Sequence, residues 1–536
     1  MKSPLLAAVA VLLLAGCIHQ PPLQPQAPQA YRFQGYSFPE PLALDGQAEP
    51  LASHPLMDAA ARPRFVERLL PGGGAEPNIG ITSSGALFVT TYDQVRRSTD
   101  HGVTWETVFD FHSPNAPQTM DVWSTTDPML WADPDTDRVF VVHMQGYGLT
   151  GTECLFVAWT DDEGTRWTDE RPLPIAPGMG ACPIPFVDHP KIVTGRPGPE
   201  AKAQPQGYRN MVYICTNKVE SLVSPPLILG TWCQASYDGG ATWEGATNAF
   251  PPDDDCPGLN GHPAVGADGT LYVPAGNLGG KGASCQQPPR VAVSRDSGLT
   301  FTVRTCDVCG IQRSIDADIA FTPDGTAYMV FTSEDSMTYL VRSKDKFQTW
   351  EGPFRLSPRD HTMDVFGAMT AGDDGRIAVA YLGSTTQQPE EFKDADASGA
   401  IGGTRWHLYL TTSLDAGSAA PTFLTQQVTP NEDPVQIGCI WLKGGASPCR
   451  NLLDFIDLHH DADGRGYVAF TDGCNPRSGC TTDPDSATYQ SHDTDVAVAV
   501  LDSGTGLFAA KGLLPSLGLT FPPAPDPRAH RDGGSP

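Results

Sequence analysis

Positive charge is the scarcest resource in this 536-residue chain: 35 Lys and Arg stand against 62 Asp and Glu, a formal net charge of −27. That deficit excludes sequence-independent nucleic-acid binding, which needs clustered cations to neutralise phosphates. It equally excludes electrostatic attraction to anionic lipid. Long apolar runs are also missing. The longest one near the N-terminus, Leu5 to Ala15, falls well short of the ~20 residues that span a bilayer. Stretches free of helix breakers are rare too, with 55 Gly and 50 Pro and only 18% charged residues, so a helical bundle is excluded and many short strands and turns are expected. Apolar material itself is not lacking: 40% hydrophobic residues and ten Trp exclude wholesale disorder.

The N-terminus reads as an export signal. Met1, Lys2 and Ser3 precede the apolar run, which has the length of a secretory core. It ends in Leu14-Ala15-Gly16-Cys17, which resembles the bacterial lipobox. The resemblance implies a lipoprotein signal peptide over 1–16 and a lipid-modified Cys17. Residues 17–61 then form a lipid-anchored tether, Pro/Gln-rich from Ile18 to Pro28. The expected location is the cell envelope or cell surface, with the membrane touched only through Cys17. A folded domain is expected over 62–515, and 516–536 read as a disordered tail.

Cysteine usage agrees with export. Setting Cys17 aside leaves an even number of the 13 Cys. Cys439 with Cys449 and Cys474 with Cys480 are spaced as loop staples, and Cys215 and Cys233 lie on neighbouring predicted strands. Cys306 and Cys309 form a CxxC without a second ligand pair, which favours a disulfide over zinc or thioredoxin chemistry.

One motif repeats along the whole domain. Ser98, Asp100, Gly102, Thr104 and Trp105 return as Thr160, Asp162, Gly164 and Trp167, then as Ser236, Asp238, Gly240, Thr242 and Trp243. Ser294, Asp296, Gly298, Thr300 and Phe301 give a fourth copy. The fifth is Ser343, Asp345, Thr349 and Trp350, with Phe347 in place of the glycine. Ser413, Asp415 and Gly417 give a degraded sixth, and Asp502, Gly504 and Phe508 a looser seventh. An Asp carboxylate accepting backbone N–H groups and a Gly tolerating positive φ suit a hairpin turn. These residues resemble the Asp-box (BNR) repeat of the sialidase-like β-propeller superfamily, where the box is a structural turn remote from the active site.

Each copy follows two further strand signals, such as Ala86 to Tyr92 and Leu271 to Asn277, most of the first introduced by an Asp-Gly turn. Radial repetition of four-stranded units is a propeller. The fold class is therefore all-β, a propeller of four-stranded antiparallel blades. Seven blades are favoured, with the six of classical sialidases as the alternative. Arg64 to Leu70 is expected to complete the last blade and close the ring.

The connections between second and third strands are long, and long loops on a rigid scaffold are where binding sits. Beside them, at the starts of the innermost strands, stand Asp127, Asp188, His189, His262, Asp316, Asp364 and Asp457, with Glu76 in the first blade. Three readings of this ring stay open: caps that bond neighbouring backbone, oxygen ligands for a hard cation such as Ca²⁺, or a glycan or acid–base site using paired carboxylates. Asp133 to Asp137 and Asp253 to Asp255 lack the remaining EF-hand positions and read as loops.

The family resemblance also implies a sialidase with three arginines on the substrate carboxylate, a Tyr–Glu nucleophile pair and an Asp acid/base. The segment Ala75 to Gly80 lacks the arginine that the family places there, and only Arg313 and Arg359 stand shortly before inner strands. No catalytic residue is carried over. The expectation is a monomeric, extracytoplasmic propeller that binds a carbohydrate, a cell-surface protein or a cation. A glycoside hydrolase with a non-standard site is the alternative.

Overall fold

A computed structural model describes residues 42–43, 56 and, within 58–519, all but 71–72, 92–93, 112–125, 147–151, 174–183, 186, 222–226, 251–257, 277–286, 314–315, 386–403, 432, 439, 441, 443–449 and 475–493. The expected signal peptide, Cys17, most of the expected tether, Cys439, Cys449, Cys480 and residues beyond Leu519 lie outside the described residues.

The strands form seven antiparallel sheets, each containing four strands in blade order. The innermost are Ile79–Ile81, Thr126–Ala132, Val187–Gly195, Ala264–Val265, Asp318–Phe321, Met363–Ala371 and Asp457–His460. Seven blades are thus present, and the six-blade alternative falls. The ring closes through the N-terminal strand Arg64–Leu69, which pairs antiparallel with Asp495–Thr505 in blade seven, Leu69 opposite Ala497. Blade six gains a fifth strand on its outer edge, Leu42–Ala43 against Leu424 and Thr425.

The second strand of a blade is covered on both faces by neighbouring blades, which explains its unbroken apolar sequence. Leu271–Ala275, Ala327–Thr332, Ile377–Ser384 and Gly466–Asp472 are buried at every residue. Between blades seven and one the packing joins Val66, Leu87, Val89, Tyr467, Val498 and Val500. Each such side chain taken fully out of water contributes about 1.5–3 kcal/mol. Blade three is also cross-linked, by a disulfide between Cys215 and Cys233 at directly opposed positions. Cys306 and Cys309 are joined as well.

The repeated Ser/Thr-x-Asp-x-Gly segments form the hairpins between third and fourth strands. In the first, Asp100 Oδ1 accepts the Thr104 backbone N–H at 2.8 Å and its Oδ2 accepts the Thr104 hydroxyl at 2.7 Å. The Gly102 N–H donates to Ser98 Oγ at 2.8 Å. The bonds recur at Asp238, Asp296 and Asp345. Two successive residues take positive φ, as at His101 (58°) and Gly102 (82°), which is the type I′ requirement. Phe347 occupies the glycine position at φ 59° and buries its ring against Trp350, centroids 4.6 Å apart. The seventh copy differs, because blade seven takes its outer strand from the N-terminus and has no such hairpin. Asp502 instead accepts the N–H groups of Leu517 (3.1 Å) and Leu519 (3.3 Å), so the chain stays packed through Leu519.

Candidate functional site

The inner strands deliver the predicted ring residues to the same end of the central channel, but their side chains split into three arrangements. In the first, a carboxylate staples its blade to the next. Asp457 Oδ2 accepts the Ile79 N–H at 2.9 Å, Asp127 Oδ2 accepts the His189 N–H at 2.9 Å, and Asp318 Oδ2 accepts the Met369 N–H at 2.8 Å. Asn78 does the same for Leu130 at 2.6 Å. Asp364 reaches back to the preceding blade, its Oδ2 accepting the Thr338 N–H at 3.2 Å and the Ser357 hydroxyl while its Oδ1 lies 2.6 Å from His361 Nδ1.

The second arrangement is a buried chain of alternating charge. Arg450 grips Asp454 with both terminal nitrogens. Asp454 Oδ2 faces His189 Nε2 at 3.9 Å, and His189 Nδ1 lies 3.1 Å from Asp316 Oδ1. Asp316 Oδ2 takes a hydrogen bond from Lys191 Nζ at 3.1 Å, and Lys191 donates to His262 Nε2 at 3.2 Å. Lys191 Nζ also stands 3.9 Å over the Phe455 ring. Burial alone would push Asp316 up, but Lys191 and His189 outweigh it and hold the carboxyl below its usual range. Burial would likewise strip His189 of its proton, yet Asp316 raises it well above the ordinary imidazole value. His262 goes the other way, lowered to about 4 by burial and by Lys191. Burial also opposes ionisation of Asp454, but Arg450 and His189 keep it low.

The third arrangement lies beside Asp454, where like charges crowd. Glu76 Oε2 accepts the Asp127 N–H at 3.3 Å, and Asp188 Oδ1 shares the His189 N–H at 3.1 Å. Burial, with Asp127 and Asp454, pushes Glu76 well above the carboxylate range. Asp188 is raised by burial against the pull of His189, and further by Asp127 and Asp454. The backbone here is strained: Glu76, Asp127 and His189 take φ of 52°, 47° and 47°. Asp127 and His189 each sit in a bulge before a proline, and bulges re-aim side chains next to functional sites.

From the Lys191, His262, Asp318 and Asp457 layer, a cavity of about 370 Å³ runs along the inner strands to Ala132, Phe321, Ala371 and His460. Its walls mix apolar side chains, including Ile81, Trp131, Val265 and Phe321, with polar ones such as Thr194, Thr370 and His459. The channel space therefore extends toward the face formed by the short turns between first and second strands.

Lys191, Arg450, Asp454 and Phe455 had escaped the sequence reading. The available signal was a lysine inside the apolar inner strand Val187–Gly195 and an i, i+4 Arg450–Asp454 pair. Arg313, by contrast, turns to Ser336 Oγ at 3.1 Å and the Glu334 carbonyl. Asp133 is a buried turn hub that receives Asn210 Nδ2 and the Tyr208 hydroxyl.

No family model matches the chain, and no curated protein sequence matches it. Solved structures do. An α-L-arabinofuranosidase of Fusarium graminearum is 12% identical over 68% of this chain and 97% of its own, with a TM-score of 0.40. A sialidase of Streptococcus pneumoniae is 10% identical over 70% and 68%, TM-score 0.40. An intramolecular trans-sialidase of Ruminococcus gnavus is 16% identical over 84% and 98%, TM-score 0.35. The sheet topology by itself defines the class of protein: a seven-bladed β-propeller of four-stranded antiparallel blades.

Proposed function

We propose that this is an exported, lipid-anchored propeller that binds a carbohydrate where its inner strands begin. The observation that carries this reading is the convergence of Glu76, Asp127, Asp188 and Asp454 at one channel mouth, with Arg450 and His189 as their counter-charges. Carboxylates accept hydrogen bonds from vicinal hydroxyls, and their excess selects neutral or cationic sugars over sialic acids. Anchoring at Cys17 would hold the propeller at the cell envelope, and nucleic acid is no partner of so acidic a surface. A glycan array probed with the mature protein tests the reading. Binding confined to neutral or amino sugars is expected, and binding only to sialylated glycans, or to none, would overturn it.

One contrast favours a second reading, glycoside hydrolysis. Asp188 is pushed above the ordinary carboxylate range while neighbouring Asp454 is held below it, the direction of divergence that a general acid and its partner carboxylate need. Release of nitrophenol from a panel of nitrophenyl glycosides, abolished in Asp188→Asn, would support it. A panel without turnover leaves binding alone.

A further inference from the structure

We infer that Asp127, Asp188 and His189 form a binding site for a first-row divalent cation such as Zn²⁺ or Mn²⁺. One oxygen from each carboxylate and one imidazole nitrogen lie within 4.8 Å of one another, close enough for a single ion to reach all three. Three side chains alone would carry little weight, but His189 adds an independent sign. It is fully buried, and its Nε2 has no hydrogen-bond partner. Asp454 Oδ2 stands 3.9 Å from that nitrogen, an ion-pair distance too long for a hydrogen bond. The other ring nitrogen, Nδ1, is engaged 3.1 Å from Asp316 Oδ1. A carboxylate on the far nitrogen is the outer partner that metal-ligating histidines almost always have, fixing ring orientation and tautomer. Asp316 is itself anchored by Lys191.

Charge points the same way. Glu76, Asp127 and Asp454 face Arg450, and Asp188 faces His189, so four carboxylates share two cationic partners, and a buried surplus of carboxylates is costly without a cation. The imidazole ligand separates this site from calcium, which takes about six to eight oxygen ligands. A nitrogen with carboxylate oxygens suits zinc or manganese. The ion would take up one imidazole nitrogen of His189 in place of a proton, and three protein ligands leave room for exogenous ones. Those could be adjacent sugar hydroxyls, so this part of the inference rests on the carbohydrate reading. Metal binding itself does not.

The test is calorimetric titration of the chelator-treated mature protein with Zn²⁺ and with Mn²⁺, plus elemental analysis after dialysis. One tightly held ion per chain is expected. His189→Gln and Asp188→Asn should weaken binding by at least the ~10- to 100-fold that loss of even an outer partner causes. Asp238→Asn, in a distant hairpin, should bind as the wild type does. Thermal unfolding verifies that each variant is folded, and should Asp188→Asn fail to fold, His189→Gln carries the test. A wild-type chain that binds neither ion, or a folded His189→Gln chain that binds as tightly as wild type, overturns the inference. Glycan binding unchanged by chelator would leave the carbohydrate reading standing without the metal. Metal binding without glycan recognition would do the reverse.

Discussion

The propeller uses aspartate in two regions with opposite electrostatic outcomes. In the hairpins, Asp100, Asp238, Asp296 and Asp345 are saturated by hydroxyl and backbone donors from their own turn. Partial burial opposes ionisation there, but the hydrogen bonds from the following Thr prevail and hold each carboxyl below its ordinary value. At the inner-strand mouth, acids meet partners from distant blades. Asp188 and Glu76 are pushed up while Asp316 and Asp454 are held down. Local satisfaction makes a repeatable structural part. Long-range, divided satisfaction leaves carboxyls whose proton affinities are set by partners from other blades.

The comparison is broken most forcefully at Lys191. Replacing it by Met leaves Asp316 buried beside His189 with its principal cation gone, and breaking such a pair typically costs about 3–5 kcal/mol. Chemical denaturation should register a loss of that size. A change below ~1 kcal/mol would mean that the chain of alternating charge contributes little. The hairpins should respond more weakly. Asp238→Ala removes bonds to Thr242 and Ser236 and should cost about 0.5–2 kcal/mol, as other capping side chains do. The same denaturation series checks the order of the two effects.

Acid should separate the regions by pH window. His262 has a folded-state value of about 4, against ~6.5 unfolded. Its contribution to stability is present above the unfolded value and lost as pH falls from there toward 4. The hairpin carboxylates, depressed in the fold, lose theirs only as pH falls below the ~3.9 of a free aspartate. Glu76 and Asp188, pushed up in the fold, oppose this loss over the same window, so it is read as a difference: the melting temperature of wild type relative to His262→Gln should fall between pH ~6.5 and about 4. A difference that stays constant over that window would contradict the role given to His262.

These two regions also explain what the sequence made legible. A hairpin is encoded in about eight consecutive residues, so Ser98 to Trp105 and its copies announced the turns, the blades and their count. The inner-strand starts were legible as positions, since Asp127, Asp188, His262 and Asp457 recur at the same point of the repeat. Their roles were not, because the deciding contacts are remote: Lys191 reaches Asp316 across 125 positions, and Asp457 staples Ile79 across 378. The seventh copy at Asp502 was the loosest because its blade needs no such hairpin: its outer strand is Arg64–Leu69, the closing strand expected from the opposite end of the domain.

The most direct test of the central claim, that the mouth and not the hairpins is the ligand site, is titration of the mature protein with its best-bound array oligosaccharide. Wild type and Asp238→Asn should bind alike, while Asp188→Asn binds at least about tenfold more weakly, roughly the 1.4 kcal/mol of one lost charged hydrogen bond. Equal affinity in all three proteins would contradict the account.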